Sequence, residues 1–319
     1  MALHVNSYLP LRHSCEDKAF FHRGYHFQSL ISVKAHASST KSRRFRLITD
    51  ASSSSFVAEV LDGWNDEYGG VVVDPNSLPS DLSAFSSSLK ASLSRWRLKG
   101  KKGIWLKLLE KYADYLPIAI KEGFVFHHAE PGYAMLTHWI PNQLSKLPSG
   151  PSHLIGAAGF VINDQNQVLV VKEKCTDRGF NEWKLPTGYV NQSEDLCSAV
   201  VREVKEETGI DTQFVKIAAF RHVHMAAFKM SDLMFVFVLK PLSFDIIIDE
   251  EEIIAAQWMD LGEVMGRPFY REDPMTRHII DSCISATVGF TPRHLLSNLD
   301  GGKLSCLYHL DDYAPISSN

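Results

Sequence analysis

The stretch 188–210 reads GYVNQSEDLCSAVVREVKEETGI, and its periodicity predicts an amphipathic helix. At about 100° per residue, Glu206 and Glu207 fall on either side of Glu203, so three carboxylates share one face. The neighbouring face is apolar and can pack against a core. It carries Leu196, Cys197, Val200, Val201 and Val204. The helix is therefore expected to bury one face and to offer the acidic face to a cleft.

Both ends of this helix are marked in the sequence. Ser193 is the predicted N-cap, and Glu194 and Asp195 suit the positive first turn. Gly209 suits the C-terminal stop, because glycine readily adopts the left-handed conformation found there.

Three converging carboxylates need a counter-charge. Like charges four residues apart destabilise a helix by about 0.2–0.5 kcal/mol, which a bound cation would offset. Oxygen ligands of this kind suit Mg²⁺ or Mn²⁺, which also bind phosphate substrates. A solvated acidic helix face is the alternative interpretation of the acids taken alone.

The spacing decides between these interpretations. Gly188, five residues, Glu194, seven residues and the sequence REVKEETGI at 202–210 resemble the Nudix box of the Nudix hydrolases in every fixed position. The resemblance implies an α/β (α+β) fold, the Nudix α/β/α sandwich, in which helices cover a mixed sheet. It also implies hydrolysis of the pyrophosphate bond in nucleoside diphosphate derivatives, with Mg²⁺ or Mn²⁺ as cofactor.

The resemblance also assigns roles within the box. Glu203, Glu206 and Glu207 would ligate the metal together with a backbone carbonyl at Thr187 or Gly188. Glu203 is the first candidate for the general base. Three further residues would support these groups. Arg202 would orient Glu203, Glu194 would complete the charge network, and Gly209 would end the helix.

Two further groups of candidates lie downstream of the box. In Nudix enzymes an acid from a later loop often joins the metal cluster or acts as base, and the acidic run at 249–252 offers Glu251 or Glu252. A solvated turn is the alternative for this run. His222, His224 and Phe228 are candidate contacts to the substrate base, with core or strand-face positions as the alternative.

The N-terminal half resembles the pre-Nudix domain of plant Nudix hydrolases related to the ADP-ribose/NADH pyrophosphatases. The likeness is carried by KKGIWLKL at 101–108 and KEGFVFHHAE at 121–130. It implies a small acetyltransferase-like α/β domain. Acetyl transfer itself is a lower-ranked alternative, because 99–103 is too short to cradle a coenzyme A pyrophosphate. Neighbouring histidines at 127 and 128 are expected on opposite faces of a strand.

Composition and pattern divide the chain into five segments. They are a basic, serine-rich leader at 1–56, the pre-Nudix domain at 57–141, a linker at 142–152, the Nudix hydrolase domain at 153–290 and a C-terminal tail at 291–319. The leader suits a chloroplast transit peptide, and a disordered leader on a cytoplasmic protein is the open alternative. Alternating residues predict strands within the Nudix domain at 155–162, 167–172, 215–223, 233–239 and 253–258.

The overall balance of residues limits the partners. A formal net charge of -4 gives no basic field, so DNA is not an expected partner. Five scattered cysteines without paired metal-ligand spacing indicate reduced thiols. No apolar run approaches the length of a membrane span, so a membrane partner is not expected. A homodimer is expected.

The substrate is the least determined property. The resemblance favours ADP-ribose and/or NADH. The proline that marks many ADP-ribose enzymes is replaced by the sequence HM at 224–225, and the NADH and coenzyme A signatures are missing. The alternatives are therefore a non-catalytic nucleotide sensor or a pyrophosphatase acting on coenzyme A or RNA caps.

Overall fold

The computed structural model describes residues 59–174, 182–285, 289–297 and 303–310. These residues fall into two compact units that divide between 151 and 152. The predicted leader at 1–56 lies outside the described residues, as do Cys15 and Cys175. None of the described helices is long and apolar enough to cross a membrane.

In its described residues, 59–151, the first unit is a five-stranded sheet with two α-helices. In chain order its elements are β1 (Gly63–Asn65), β2 (Val71–Val73), α1 (Leu82–Leu98), β3 (Gly103–Leu109), α2 (Leu116–Lys121), β4 (Val125–Glu130) and β5 (Tyr133–Trp139). The strand order is β1-β2-β3-β5-β4, with β2 and β3 parallel and the other pairs antiparallel. The likeness of this unit to acetyltransferases stays a prediction.

The first unit is held together by a core in which the buried face of α1 packs with the buried residues of the sheet. Asp81 caps α1 by accepting a hydrogen bond from the Ala84 N–H. Helical spacing then buries one face of α1, and the alternate residues of β3 are buried as well. The side chains in this core include Phe85, Leu89, Leu93, Trp96, Ile104, Leu106 and Leu108.

A β-bulge overturns the expectation for the paired histidines. The register of β4 against β5 shifts between Phe126 and His128, so the usual alternation fails at His127. The Nδ1 atoms of His127 and His128 lie 2.6 Å apart, and His128 Nε2 lies 3.3 Å from the Tyr133 hydroxyl. The two imidazoles therefore contact each other edge-on, and the prediction that they point to opposite sides is wrong.

The second unit contains the predicted box. Its elements are β6 (His153–Val161), β7 (Gln167–Glu173), β8 (Thr187–Tyr189), α3 (Leu196–Thr208), β9 (Thr212–Ala227), β10 (Met230–Pro241), β11 (Ile253–Asp260), α4 (Leu261–Gly266), α5 (Pro268–Glu272), α6 (Pro274–Ser285), β12 (Phe290–Ser297) and β13 (Lys303–Leu310). Six strands form one sheet in the order β13-β12-β9-β10-β6-β8, and β11 pairs with β7.

The main sheet of this unit is mixed. Strand β10 runs parallel to β6 and antiparallel to β9, and β8 pairs antiparallel with β6. The helix α3 packs closely on β6. A Cβ atom added to Gly159 of β6 would lie only 2.6 Å from Val204 Cγ2 of α3. Val200 and Val204 are fully buried, which contributes about 1.5–3 kcal/mol each. The predicted α/β fold with a mixed sheet is confirmed.

The hairpin of β12 and β13 extends this sheet. Phe290 pairs with Ile217 of β9, and the two strands pair with each other from Phe290–Leu310 to Ser297–Lys303. The sequence offered no pattern that predicted this hairpin.

Candidate active site

The structure sets the ends of α3 with one difference from the prediction. Asp195 is the N-cap, and its Oδ1 accepts a hydrogen bond from the Cys197 N–H at 2.9 Å. Ser193 instead lies in the preceding turn with φ 64, so its prediction as N-cap is wrong. Gly209 ends the helix with φ 72, as predicted.

Arg202 links three carboxylates at the start of the acidic face. Its guanidinium donates to Glu194 at 2.7 and 2.8 Å, to Glu203 Oε1 at 2.6 Å and to Glu206 Oε2 at 2.9 Å. A further hydrogen bond reaches the Tyr189 carbonyl at 3.0 Å. Such charge-assisted bonds fix geometry as well as energy. They raise the pKa of Arg202 and lower the pKa of Glu194, for which the bond from Arg202 is the largest cause.

Glu203 is buried against the backbone of β8. The residue is only 3% exposed, and the missing side chain of Gly188 leaves the space that its carboxylate occupies. A Cβ atom on Gly188 would lie 2.1 Å from both Cδ and Oε2 of Glu203. Glycine at this position is therefore required by the close approach of the carboxylate.

We expect Gly188→Ala to displace Glu203 and to lower both activity and stability. Overpacking of a buried site costs about 1–3 kcal/mol, and the displaced carboxylate would also lose its bond from Arg202. Urea denaturation and initial rates measure the two effects. Gly266→Ala is the matched control, because a Cβ atom there meets nothing within 4 Å. Equal behaviour of the two variants would contradict the explanation.

Glu207 is the second buried acid of the helix, with 4% exposure, whereas the Glu206 side chain is 41% exposed. The Thr187 N–H donates to Glu207 Oε2 at 3.2 Å. Nearby, the Lys184 ammonium donates to the Thr187 hydroxyl at 2.9 Å and forms a salt bridge with Glu173. Burial raises the pKa of Glu207 well above 4.5; Glu173 raises it further, and Lys184 lowers it.

The raised pKa gives a stability prediction for metal-free protein. The unfolded state loses the Glu207 proton first as the pH rises, so stability falls between about pH 4.5 and the higher folded-state pKa. Glu207→Gln lacks this titration. We therefore expect the variant to be more stable than wild type at neutral pH in EDTA, with a difference that shrinks as the pH approaches 4.5.

Denaturation at several pH values measures this difference. Glu263→Gln, which changes an exposed glutamate on α4, is the control and is expected to change stability by less than about 0.5 kcal/mol. A Glu207→Gln variant that is less stable than wild type at neutral pH would show that the buried carboxylate is not a cost.

The donor set around α3 fits a hard divalent cation. Within the described residues, the contacts above and the charge effects on Glu207 define a network of five carboxylates and two cations. The carboxylates are Glu173, Glu194, Glu203, Glu206 and Glu207, and the cations are Arg202 and Lys184. Two of these carboxylates are buried, where unbalanced charge is costly. Oxygen donors with excess negative charge are the ligands that Mg²⁺ and Mn²⁺ prefer.

The later acidic loop is joined through its backbone to the end of β7. Glu251 and Glu252 are exposed in the turn before β11, and the Glu251 N–H donates to Asp249 Oδ1 at 2.9 Å. The Lys174 N–H donates to the Glu252 carbonyl at 2.7 Å. Ile253, the first residue of β11, pairs with Glu173. The turn is thus tied to the strand that carries Glu173. A role for either acid in metal binding or catalysis stays a prediction.

Two of the three predicted substrate contacts, His222 and His224, form a cluster with His153, which sequence reasoning missed. His222 Nε2 lies 3.0 Å from Nε2 of His153, and these rings stack with centroids 5.0 Å apart. The His224 ring meets His222 edge-on at 4.4 Å. Phe228 is exposed at the β9–β10 turn with φ 49. Because β6 and β9 are separated by β10, the sequence carried no local signal for His153.

Lys184 and Glu173 were also missed. Lys184 lies in the loop WKLPTG at 183–188, which leads into the box. The sequence therefore shows a cation at this position but does not indicate which acid it pairs with. Glu173 ends β7, which is distant in sequence from the box. Their salt bridge arises from tertiary placement, which local patterns do not report.

Two family models match this chain. The model described as Nudix hydrolase domain matches residues 61–140, and the model described as NUDIX domain matches residues 152–281. The second match includes α3 and all the carboxylates of the network. Fold, site and matches together define a hydrolase of pyrophosphate bonds.

The chain belongs to the Nudix hydrolase family. It is 51% identical over 276 residues to Nudix hydrolase 8 of Arabidopsis thaliana, and this match covers 83% of this chain and 75% of that protein. It is 47% identical over 261 residues to Nudix hydrolase 2 of Arabidopsis thaliana, covering 80% of this chain and 94% of that protein. Among solved structures, a NUDIX hydrolase from Nitrosomonas europaea is similar at 26% identity and a TM-score of 0.34, covering 40% of this chain and 86% of that one.

Proposed function

We propose that this Nudix hydrolase uses Mg²⁺ or Mn²⁺ to hydrolyse ADP-ribose and/or NADH at the pyrophosphate. The observation that carries the metal proposal is the pair of buried acids on α3, Glu203 and Glu207, within a network that has more carboxylates than cations. Glu203, Glu206 and Glu207 would hold the ion together with a backbone carbonyl at Thr187 or Gly188. When bound, the ion neutralises pyrophosphate oxygens and lowers the pKa of water.

The protein groups have separate tasks in this reaction. Hydrolysis requires a water molecule to attack one phosphorus, to lose a proton and to displace the other phosphate as leaving group. Glu203 is the proposed acceptor of that proton. Arg202 fixes its orientation through the bond of 2.6 Å, and Gly188 leaves room for it beside the strand. Glu251 or Glu252 is the second candidate for the base.

The substrate proposal rests on sequence likeness. The stretches at 101–108 and 121–130 resemble the pre-Nudix domain of plant enzymes related to the ADP-ribose/NADH pyrophosphatases. The family acts on nucleoside diphosphate derivatives, and ADP-ribose and NADH both contain an ADP half. Their hydrolysis would yield AMP together with ribose 5-phosphate or reduced nicotinamide mononucleotide.

A substrate panel tests this proposal. Wild-type protein with Mg²⁺ or with Mn²⁺ is incubated with ADP-ribose, NADH, coenzyme A and capped RNA, and the products are separated by chromatography. We expect AMP from ADP-ribose or NADH at the highest kcat/KM. A higher kcat/KM for coenzyme A or for capped RNA would overturn the substrate assignment and leave the reaction class intact.

Binding without turnover is the outcome that would replace an enzyme with a nucleotide sensor. Calorimetry with ADP-ribose and NADH distinguishes this outcome from an inactive preparation, because a sensor would still bind one of them. The homodimer and the chloroplast location stay predictions.

A further inference from the structure

A second cluster of metal-ligating side chains lies at the N-terminal end of α3, where the N-cap Asp195 precedes Glu203 by eight residues. Asp195, His294 and Cys306 each offer a ligand atom, and these atoms all lie within 4.8 Å of one another. His294 and Cys306 are directly opposed in the β12–β13 register, so their side chains lie on the same face of the hairpin. The hairpin therefore brings an imidazole and a thiol to the N-cap of α3.

The carboxylate of Asp195 divides its oxygens between two tasks. Oδ1 caps the helix through the Cys197 N–H at 2.9 Å and accepts from the Tyr308 hydroxyl at 3.2 Å. Oδ2 instead lies 3.4 Å from His294 Nε2. The His294 side chain is exposed, so the cluster is open to ions from solvent. Oδ2 can thus act as a metal ligand while Oδ1 continues to accept the capping hydrogen bond.

The donor types select the class of ion. A thiol, an imidazole and a carboxylate match the ligands of Zn²⁺ and similar transition metals, whereas Mg²⁺ prefers oxygen alone. We propose that Asp195, His294 and Cys306 form a binding site for a Zn²⁺-class ion, separate from the carboxylates that would hold the catalytic metal.

Such an ion would attach the hairpin to the helix that carries the active-site acids. In the described part of the chain, the backbone pairing of this hairpin with the main sheet is the Phe290–Ile217 pair. Cys306 lies two residues before Tyr308 on β13, and Tyr308 packs on the core beneath α3. Asp195 also directly follows Glu194, which binds Arg202. Binding is therefore expected to raise the thermal stability of the second unit.

Titration of the EDTA-treated full chain with Co²⁺ tests the proposal. Absorption from charge transfer between a thiolate and Co²⁺ appears only when sulfur ligates the ion, so the oxygen donors of the catalytic site do not contribute. Zn²⁺ should then displace Co²⁺ and remove the absorption. We expect Cys306→Ser to abolish the band. His294→Ala should weaken binding by more than the roughly 10–100-fold that loss of an outer-shell partner costs.

Two matched controls keep the result interpretable. Cys197→Ser removes a thiol that lies 3.7 Å from the Tyr308 hydroxyl but is outside the proposed ligand set, and His309→Ala removes a second imidazole of the same hairpin. Both should retain the band. Circular dichroism in EDTA should show that Cys306→Ser is folded. The proposal is overturned if wild type gives no band, if Cys306→Ser keeps it, or if Cys197→Ser loses it.

Discussion

Replacing Glu203 with glutamine is expected to lower kcat by about 10²–10⁴-fold, the contribution typical of a general base. Glutamine has nearly the same shape and can still accept the hydrogen bond from Arg202, so the buried position remains filled. The variant cannot take a proton from water, and it is a weaker ligand for a divalent cation. Steady-state rates with the substrate identified by the panel measure the loss.

The control for this change is Glu263→Gln, which neutralises an exposed glutamate on α4 that pairs with Arg267. It should retain the wild-type kcat. Glu251→Gln and Glu252→Gln test the two acids that are the alternative candidates for the base. Each should lower kcat by less than Glu203→Gln does. If Glu203→Gln turns over at the wild-type rate while a loop variant is inactive, the general base has been assigned to the wrong element.

Arg202→Gln is expected to lower the free energy of unfolding by about 3 kcal/mol. Removing one partner of a buried ion pair costs about 3–5 kcal/mol because the remaining charge is left without compensation. The Arg202 side chain is 23% exposed, so we expect the lower end of that range. Glu194 and Glu203 would both lose their cation, and denaturation in guanidinium chloride measures the effect.

Arg271→Gln provides the comparison, because the side chains of Arg271 and its partner Glu272 are 58% and 66% exposed. Exposed pairs contribute about 0–1 kcal/mol, so this variant should be close to wild type. Arg202→Lys should fall between wild type and Arg202→Gln, since an ammonium cannot reproduce the forked contacts. Equal losses in Arg202→Gln and Arg271→Gln would mean that the network adds no stability of its own.

The box helix could be predicted because its determinants are local. Helical spacing places Glu203, Glu206 and Glu207 on one face, and Gly209 supplies the left-handed stop. The exact N-cap was not predictable, since Ser193 and Asp195 have similar intrinsic preferences. The contact between Asp195 and the hydroxyl of Tyr308 on β13 forms only in the folded chain.

Tertiary placement also decided which acids are buried. The helical wheel treats the three glutamates alike, but β8 covers Glu203 and Glu207 and leaves Glu206 exposed. The bulge at His127 reversed a prediction that assumed regular alternation. Each of these departures depends on how a neighbouring strand packs or pairs with the residue concerned, which a local periodicity does not report.

Hydrolysis of ADP-ribose by EDTA-treated protein, before and after addition of Mg²⁺ or Mn²⁺, tests the central claim most directly. We expect no AMP in EDTA, restored AMP release with either ion, and no restoration in Glu207→Gln. Full activity in EDTA, or equal restoration in wild type and Glu207→Gln, would contradict a catalytic metal held by the acids of α3.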